Sequence, residues 1–181
     1  MMQINSNAVI KGNNILLRSI TIDDIRQEYI NWLNDPDVNQ FLETRYEIQT
    51  NESIKKYVAN ILKSKSEYLF AICDNNERHV GNIKLGPINL IHNFAEISLF
   101  IGNKNVWGTG IGTEAINILC EFGFSKMGMH KITAGCYSNN LGSIIAFKKC
   151  GFSEEGIWKD HYLYRGSYVD RICLARIINK N

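Results

Sequence analysis

Three glycines alternate in the run Asn105-Val106-Trp107-Gly108-Thr109-Gly110-Ile111-Gly112-Thr113-Glu114, directly after an apolar strand-like stretch and directly before a helix-like one. Such a turn points backbone N–H groups outward at a helix N-terminus, which suits a phosphate or pyrophosphate. Glycine lets the ligand approach the main chain with no Cβ in the way. Two familiar templates do not fit. A P-loop carries Lys after its last Gly, and here Thr113 follows Gly112. The dinucleotide fingerprint needs Gly at its sixth position, which counted from Gly108 is Thr113. The run therefore points to a phosphorylated ligand on a different fold. The four histidines (79, 92, 130 and 161) lack metal-ligand spacing, and no metal is implied.

The elements that must hold this turn follow from periodicity. Ile15 to Ile20 reads as a strand. Thr21 with Asp24 three residues on predicts a capped helix running to about Leu33, stopped by Asn34-Asp35-Pro36-Asp37. A second helix is expected over Asn51 to Lys63, with Ile54, Tyr57, Val58 and Ile61 on one face. Between them Val38 to Gln49 has no clear period and is either a substrate-pocket wall or an irregular packed connection. Tyr68–Cys73, His79–Leu85 and Ala95–Ile101 predict an antiparallel meander. A helix from about Gly110 to Lys126, a strand Lys131–Tyr137, a helix Leu141–Cys150 ended by Gly151, and two strands around Arg165-Gly166 complete the chain. The order strand, glycine turn, helix, strand from Ala95 to Tyr137 implies a parallel, right-handed crossover within an otherwise antiparallel sheet. The glycine turn would then lie at the carboxyl end of a strand.

At 181 residues and 45% hydrophobic content, one domain (1–181) with a full core is expected. Basic residues number 20 and acidic ones 18, so charge offers no case for nucleic acid or a membrane surface. The five cysteines (73, 120, 136, 150 and 173) are odd in number, form no C-x-x-C pair and sit among apolar neighbours. They read as buried free thiols in a reducing compartment. Met1 to Asn7 is polar, without the apolar core of a signal peptide, and no run reaches the length of a membrane span. A cytoplasmic protein is expected.

With these motifs in order, the chain resembles the GNAT superfamily of acetyl-CoA-dependent N-acetyltransferases. More narrowly, it is similar to the branch of ribosomal-protein-alanine and spermidine acetyltransferases. Trp107-Gly108-Thr109-Gly110-Ile111-Gly112 occupies the family's Gln/Arg-x-x-Gly-x-Gly/Ala motif, with Trp107 at its head as is usual in this branch. Asn140 to Phe152 matches its Asn-x-x-Ser…Lys-x-Gly-Phe helix. Glu155-Gly156, His161 and Gly166 to Asp170 match its C-terminal hairpin. The resemblance implies an α/β GNAT fold, with a splayed, mostly antiparallel sheet of about seven strands and about four helices on both faces. It implies that the N–H groups of Gly108, Thr109, Gly110, Ile111, Gly112 and Thr113 hold the pyrophosphate of coenzyme A. The strand end Phe100, Ile101 and Gly102 would pair with pantetheine, Asn140 would contact the cofactor near its thiol, and Trp107, Ser143 and Phe147 would also line the cofactor site.

The chemistry implied is direct acetyl transfer to an amine in a ternary complex. A base takes a proton, often through water, and an acid protonates the departing thiolate. Many relatives use a Tyr for that acid where this chain has Phe147, which cannot donate. Ser143, one turn earlier, is the substitute, the alternative being a serine that only binds cofactor or backbone. Glu96 is the best candidate base, set by alternation on the face opposite Ile97 and Leu99. Its alternative is a solvated strand carboxylate. His161 is a second candidate base, or is a surface or hairpin histidine. Some relatives carry a catalytic Glu where Tyr162 stands here, and its absence moves weight to Glu96. Tyr137 could line the thioester site or simply pack. A cysteine acyl-enzyme, through Cys136 or Cys150, is disfavoured. The acceptor is an amine: a protein N-terminal residue such as alanine, an amino sugar or a polyamine. Its pocket would draw on Asn34–Tyr46, the Gly86–Asn93 turn and the Arg165 hairpin. Asp35, Asp37 and Glu43 could give a polyamine a local site. The oligomeric state stays open, a homodimer among the options. A non-catalytic acyl-CoA-binding module on the same fold is the rival reading.

Overall fold

The computed structural model describes residues 9–178. Met1 to Asn7 lies outside them. Eight strands form one sheet: β1 (Val9–Lys11), β2 (Ile15–Ser19), β3 (Tyr68–Asp74), β4 (His79–Asn89), β5 (Phe94–Ile101), β6 (Lys131–Tyr137), β7 (Ser153–Tyr164) and β8 (Ser167–Ile177). Their spatial order is β1-β2-β3-β4-β5-β6-β8-β7. Five α-helices accompany them: α1 (Gln27–Asn34), α2 (Pro36–Asn39), α3 (Asn51–Lys63), α4 (Ile111–Ser125) and α5 (Leu141–Lys149). The count exceeds the expected seven strands by β1, three residues too short to show a period. It exceeds the expected four helices by α2, a single turn that starts on Pro36 and is capped by the Asp35 side chain.

The first helix begins later than expected. Asp24 does close a capping interaction on Thr21, but the turn it caps is a short 3-10 helix, Ile22–Asp24. Its carboxylate also takes both arms of Arg18, and the chain turns away at Ile25 (φ −82, ψ 73). That break buries the Ile25 side chain, and α1 starts only at Gln27. α3 matches its expected span, held by a reciprocal Thr50–Ser53 cap. Ile54, Val58 and Ile61 are buried, whereas Tyr57 lies at the edge of that face and is exposed.

The sheet has a separate core on each face. Phe70, Ile72, Ile83, Leu85 and Ile97 pack under α4 and α5, against Ile116, Leu119, Phe124 and Phe147. Leu69, Ala71 and Cys73 pack under α1 to α3, against Tyr29, Trp32, Leu33, Ile54 and Val58. β3 alternates between the two cores, which explains its unbroken apolar run.

Among the described residues β5 and β6 are the one parallel pair, and their ladder is short: Phe94↔Lys131, Ala95↔Ile132 and Glu96↔Thr133. Beyond Glu96 the two strands part. β5 continues to Ile101 on β4, while β6 continues to Tyr137 on β8. The sheet is therefore splayed, and the rest of β5 has a free edge facing the gap. No helix among the described residues is long and apolar enough to cross a membrane.

Candidate functional site

The glycine turn sits where β5 ends. A short 3-10 turn, Lys104–Val106, leads into it, and Gly110 begins α4 in the left-handed region at φ +92. Gly108 is also left-handed, at φ +75, and a Cβ on either residue would meet nothing within 4 Å. The space beside both glycines is open toward a ligand. No side chain caps α4, because its N-cap is a glycine. Glu114, which could fold back on the turn, instead accepts from the main chain of Asn13 and Asn14. The N–H groups of Ile111, Gly112 and Thr113 are thus left at an uncapped helix start, the positive end of its dipole. This fits a pyrophosphate. Gly112 differs from its neighbours: its Cβ would rest in ordinary contact with Leu99 and Ile101.

Trp107 fixes the turn. Its Nε1 donates to the Ile101 carbonyl at 2.9 Å, pinning the loop to the last residue of β5. At the same strand end the Gly102 N–H donates to Val80, and Trp32 packs so closely that a Cβ on Gly102 would overlap its ring. Phe100 stacks on Tyr29 on the α1 side. Part of the Phe100–Gly102 main chain is thus already engaged, and the longer free edge runs back along β5 from Ile101 to Ile97. An open groove of about 500 Å³ lies beside the turn, lined by Thr109, Gly110, Thr113, Asn14, Asn117 and Lys149 among others. Lys149 supplies a cation there, a residue that sequence reasoning passed over.

The far side of the gap is built by α5. Asn140 is its N-cap, its Oδ1 accepting from the Ser143 N–H at 3.2 Å. Ser143 Oγ lies 3.4 Å from Cys136 Sγ, at the end of β6. Phe147, expected at the cofactor site, is instead 2% exposed and packs edge-on against Phe152, so it belongs to the core. Burial pushes the thiols of Cys136 and Cys150 up from the ordinary range, which makes both poor nucleophiles. All five cysteines are free, and Cys173 alone is not fully buried.

Glu96 stands at the last β5–β6 pair, half-exposed on the face away from Ile97 and Leu99. It is not a free carboxylate: Arg171 Nη2 donates to its Oε1 at 3.1 Å. Arg171 was not foreseen, although two signals were present: a charge directly before the apolar Ile172–Ala175 stretch of β8 and a glycine, Gly135, inside β6. His161 is exposed on β7 and packs edge-on against Trp158 and Tyr162. Tyr162, beside it, stacks on Tyr137 at 4.0 Å between ring centroids.

The Val38–Gln49 segment closes over this region. Arg45 donates to the Tyr137 hydroxyl and to the Leu42 and Leu163 carbonyls. Tyr137 donates to Glu43, Tyr164 donates to Gln40, and Phe41 stacks on Tyr164. The tyrosine at the end of β6 thus joins the wall to the C-terminal hairpin. The Gly86–Asn93 turn makes no hydrogen bond or aromatic contact with this wall among the described residues; it lies at the opposite end of β5 from the glycine turn. Asp35, Asp37 and Glu43 are engaged, whereas the exposed Glu47 carboxylate has no ion pair or hydrogen bond among the described residues. Lys104 pairs with Asp35 at 2.7 Å and with Asp37 at 2.9 Å, and Glu43 holds Tyr137 and lies 3.8 Å from Arg45.

Comparison with known proteins agrees with this geometry. A spermidine N(1)-acetyltransferase of Vibrio cholerae is 25% identical over 161 residues, covering 88% of this chain and 90% of the relative. An N-acetyltransferase 9-like protein of Nematostella vectensis is 27% identical over 174 residues, covering 88% and 86%. Among solved structures, spermidine N-acetyltransferase from Vibrio cholerae in complex with CoA and spermine shares the fold, with a TM-score of 0.83, 23% identity, and coverage of 92% and 96%. The family model described as an acetyltransferase (GNAT) domain matches residues 14–153. The chain belongs to the GNAT acetyltransferases, and its reaction is the acetyl-CoA-dependent N-acetylation of an amine.

Proposed function

We propose that the acceptor is a compact amine with a single positive charge, a protein N-terminal residue such as alanine or an amino sugar, and that Glu96 is the base. The observation that carries this reading is the state of the acids on the acceptor wall. A polyamine needs carboxylates for its second and third cations. Asp35 and Asp37 share Lys104, and Glu43 is held by Tyr137 beside Arg45. A polycation held by these three would have to displace three ion pairs and a hydrogen bond. The polyamine reading is favoured instead by the spermidine acetyltransferases among the relatives.

The donor enters from the α4–α5 face, with its pyrophosphate on Gly108 to Thr113 and its thioester in the gap between β5 and β6. The amine comes from the opposite face, where Glu96, Tyr137 and Tyr162 lie. One proton of the ammonium passes through water to Glu96, the neutral nitrogen attacks the thioester carbonyl, the C–S bond breaks, and the second N–H proton passes to the departing thiolate through the Ser143 hydroxyl, which gives one proton and takes one. Positioning two reactants in one gap supplies much of the rate.

Thiol release from acetyl-CoA with a panel of an alanine-terminated peptide, glucosamine and spermidine tests the acceptor. The peptide or the amino sugar should give the higher kcat/KM. A clear preference for spermidine would overturn the acceptor reading. Coenzyme A binding with no turnover on any amine would leave an acyl-CoA-binding module. Glu96→Gln should lower kcat at pH 7 by about 10²-fold or more, with partial recovery at higher pH as the amine loses its proton unaided. An unchanged pH–rate profile would remove Glu96 from the role of base.

A further inference from the structure

Arg171 stands on β8 and Glu96 on β5, with β6 lying between them. The arginine side chain crosses β6 at Gly135, where any Cβ would overlap the guanidinium. The Trp158 ring covers the guanidinium, its centroid 4.7 Å away. From this seat Nη2 reaches Glu96. The crossing point is two residues beyond Thr133, the last β6 residue paired with β5. The ion pair therefore spans the mouth of the splay, where no ladder holds the two strands at a fixed distance.

Stability does not account for this arrangement. An ion pair whose carboxylate is 40% exposed contributes little to folding. Arg171 Nε is moreover buried with no hydrogen-bond partner, which is a cost. What the seat provides is placement. A carboxylate on a long, half-exposed side chain samples several rotamers, whereas a proton acceptor must stand at one place. The planar guanidinium, clamped between Gly135 and the Trp158 ring, directs one N–H at Glu96 Oε1, whereas an ammonium on a flexible stem has no such fixed direction.

We propose that Arg171, seated on Gly135 beneath Trp158, is a positioning residue for acetyl transfer: it holds the Glu96 carboxylate at the mouth of the splay in the orientation that receives the amine proton. This rests on Glu96 as the base. The proton moves from the amine through water to Glu96, and Arg171 neither gives nor takes one.

The test is steady-state kinetics on the best amine of the panel, with Arg171→Met, Arg171→Lys, Gly135→Ala, Glu96→Gln and the double variant E96Q/R171M, each checked for folding by thermal melt. Arg171→Met should lose about 10²-fold in kcat with KM for acetyl-CoA unchanged. Arg171→Lys, and Arg171→Met with added guanidinium, should recover part of that loss. Gly135→Ala should lose rate although it alters neither charged group. The double variant should be no slower than Glu96→Gln. Wild-type kcat in folded Arg171→Met and Gly135→Ala would overturn the positioning role, as would losses that multiply in the double variant. Full activity in Glu96→Gln would instead fail the base reading, and the proposal with it. A slow Glu96→Gln beside unimpaired Arg171 and Gly135 variants sinks the positioning role alone. Should Arg171→Met not fold, Gly135→Ala and Arg171→Lys carry the same comparison.

Discussion

Single residues decide how near a ligand can come to the main chain. The three glycines of the turn after β5 look equivalent as letters and differ in space. Gly108 and Gly110 are left-handed with open space where a Cβ would point. Gly112 has ordinary helical backbone, and its missing Cβ faces Leu99 and Ile101 at 3.7–3.8 Å. Gly110→Val should therefore combine left-handed strain with intrusion into the pyrophosphate space, and abolish acetyl-CoA binding in a titration. Gly112→Ala should fold with a melting temperature close to wild type, since a methyl fits the apolar contact there. Equal acetyl-CoA affinity in wild type and folded Gly110→Val would refute the turn as the pyrophosphate site. The motif was legible because it is local, a matter of one turn and the next helix. Arg171 and Lys149 were not, because each acts across elements that the chain brings together only when folded. Phe147 shows the same limit from the other side: its position named a missing hydroxyl, but only packing shows the ring enclosed against Phe152.

At the scale of elements, strong periods were read well and weak ones were not. α3, β3, β5 and β6 fall within a residue of expectation, since each is capped or bounded by turns, whereas β4 runs past the expected Leu85 to Asn89. The start of α1 was misread because Asp24 serves a tertiary partner, Arg18, as well as its local cap. The same packing gives α1 a pH dependence. His79, on β4, lies beneath Tyr29 and Trp32 of α1, both in edge contact, with Asn82 Oδ1 3.3 Å from its Nε2. Burial pushes the imidazole down from its ordinary value, with Asp24 opposing and Arg18 adding to the effect. The unfolded chain then binds a proton at higher pH than the folded one. The stability contributed by neutral His79 is present above about pH 6.5 and is lost as pH falls through that value toward the folded pKa. Denaturant melts between pH 7.5 and 5 should show this decline, and His79→Gln, which keeps a hydrogen-bonding group but cannot titrate, should flatten it. An identical slope in His79→Gln would assign the dependence to another group.

On the scale of the whole molecule the splay is the organising feature. The β5–β6 ladder ends at Glu96, and beyond it the two halves of the sheet are joined through α4, α5 and the core beneath them. Coenzyme A seated in that gap would touch the free edge of β5, the glycine turn and the start of α5 at once. Such contacts exist only in the folded chain, so binding must raise stability by mass action. At a concentration 100 times Kd the gain is about 2.7 kcal/mol. For a chain of this size each kcal/mol moves Tm by about 2–4 °C, so acetyl-CoA should raise it by about 5–11 °C. Glu96→Gln should shift as far as wild type, because its carboxylate is assigned to the amine and not to the donor. Gly110→Val should not shift at all. The pair separates binding from chemistry in one instrument: a Glu96→Gln shift much smaller than wild type would move Glu96 from the base role to the donor site, and a full shift in Gly110→Val would place the pyrophosphate elsewhere in the gap.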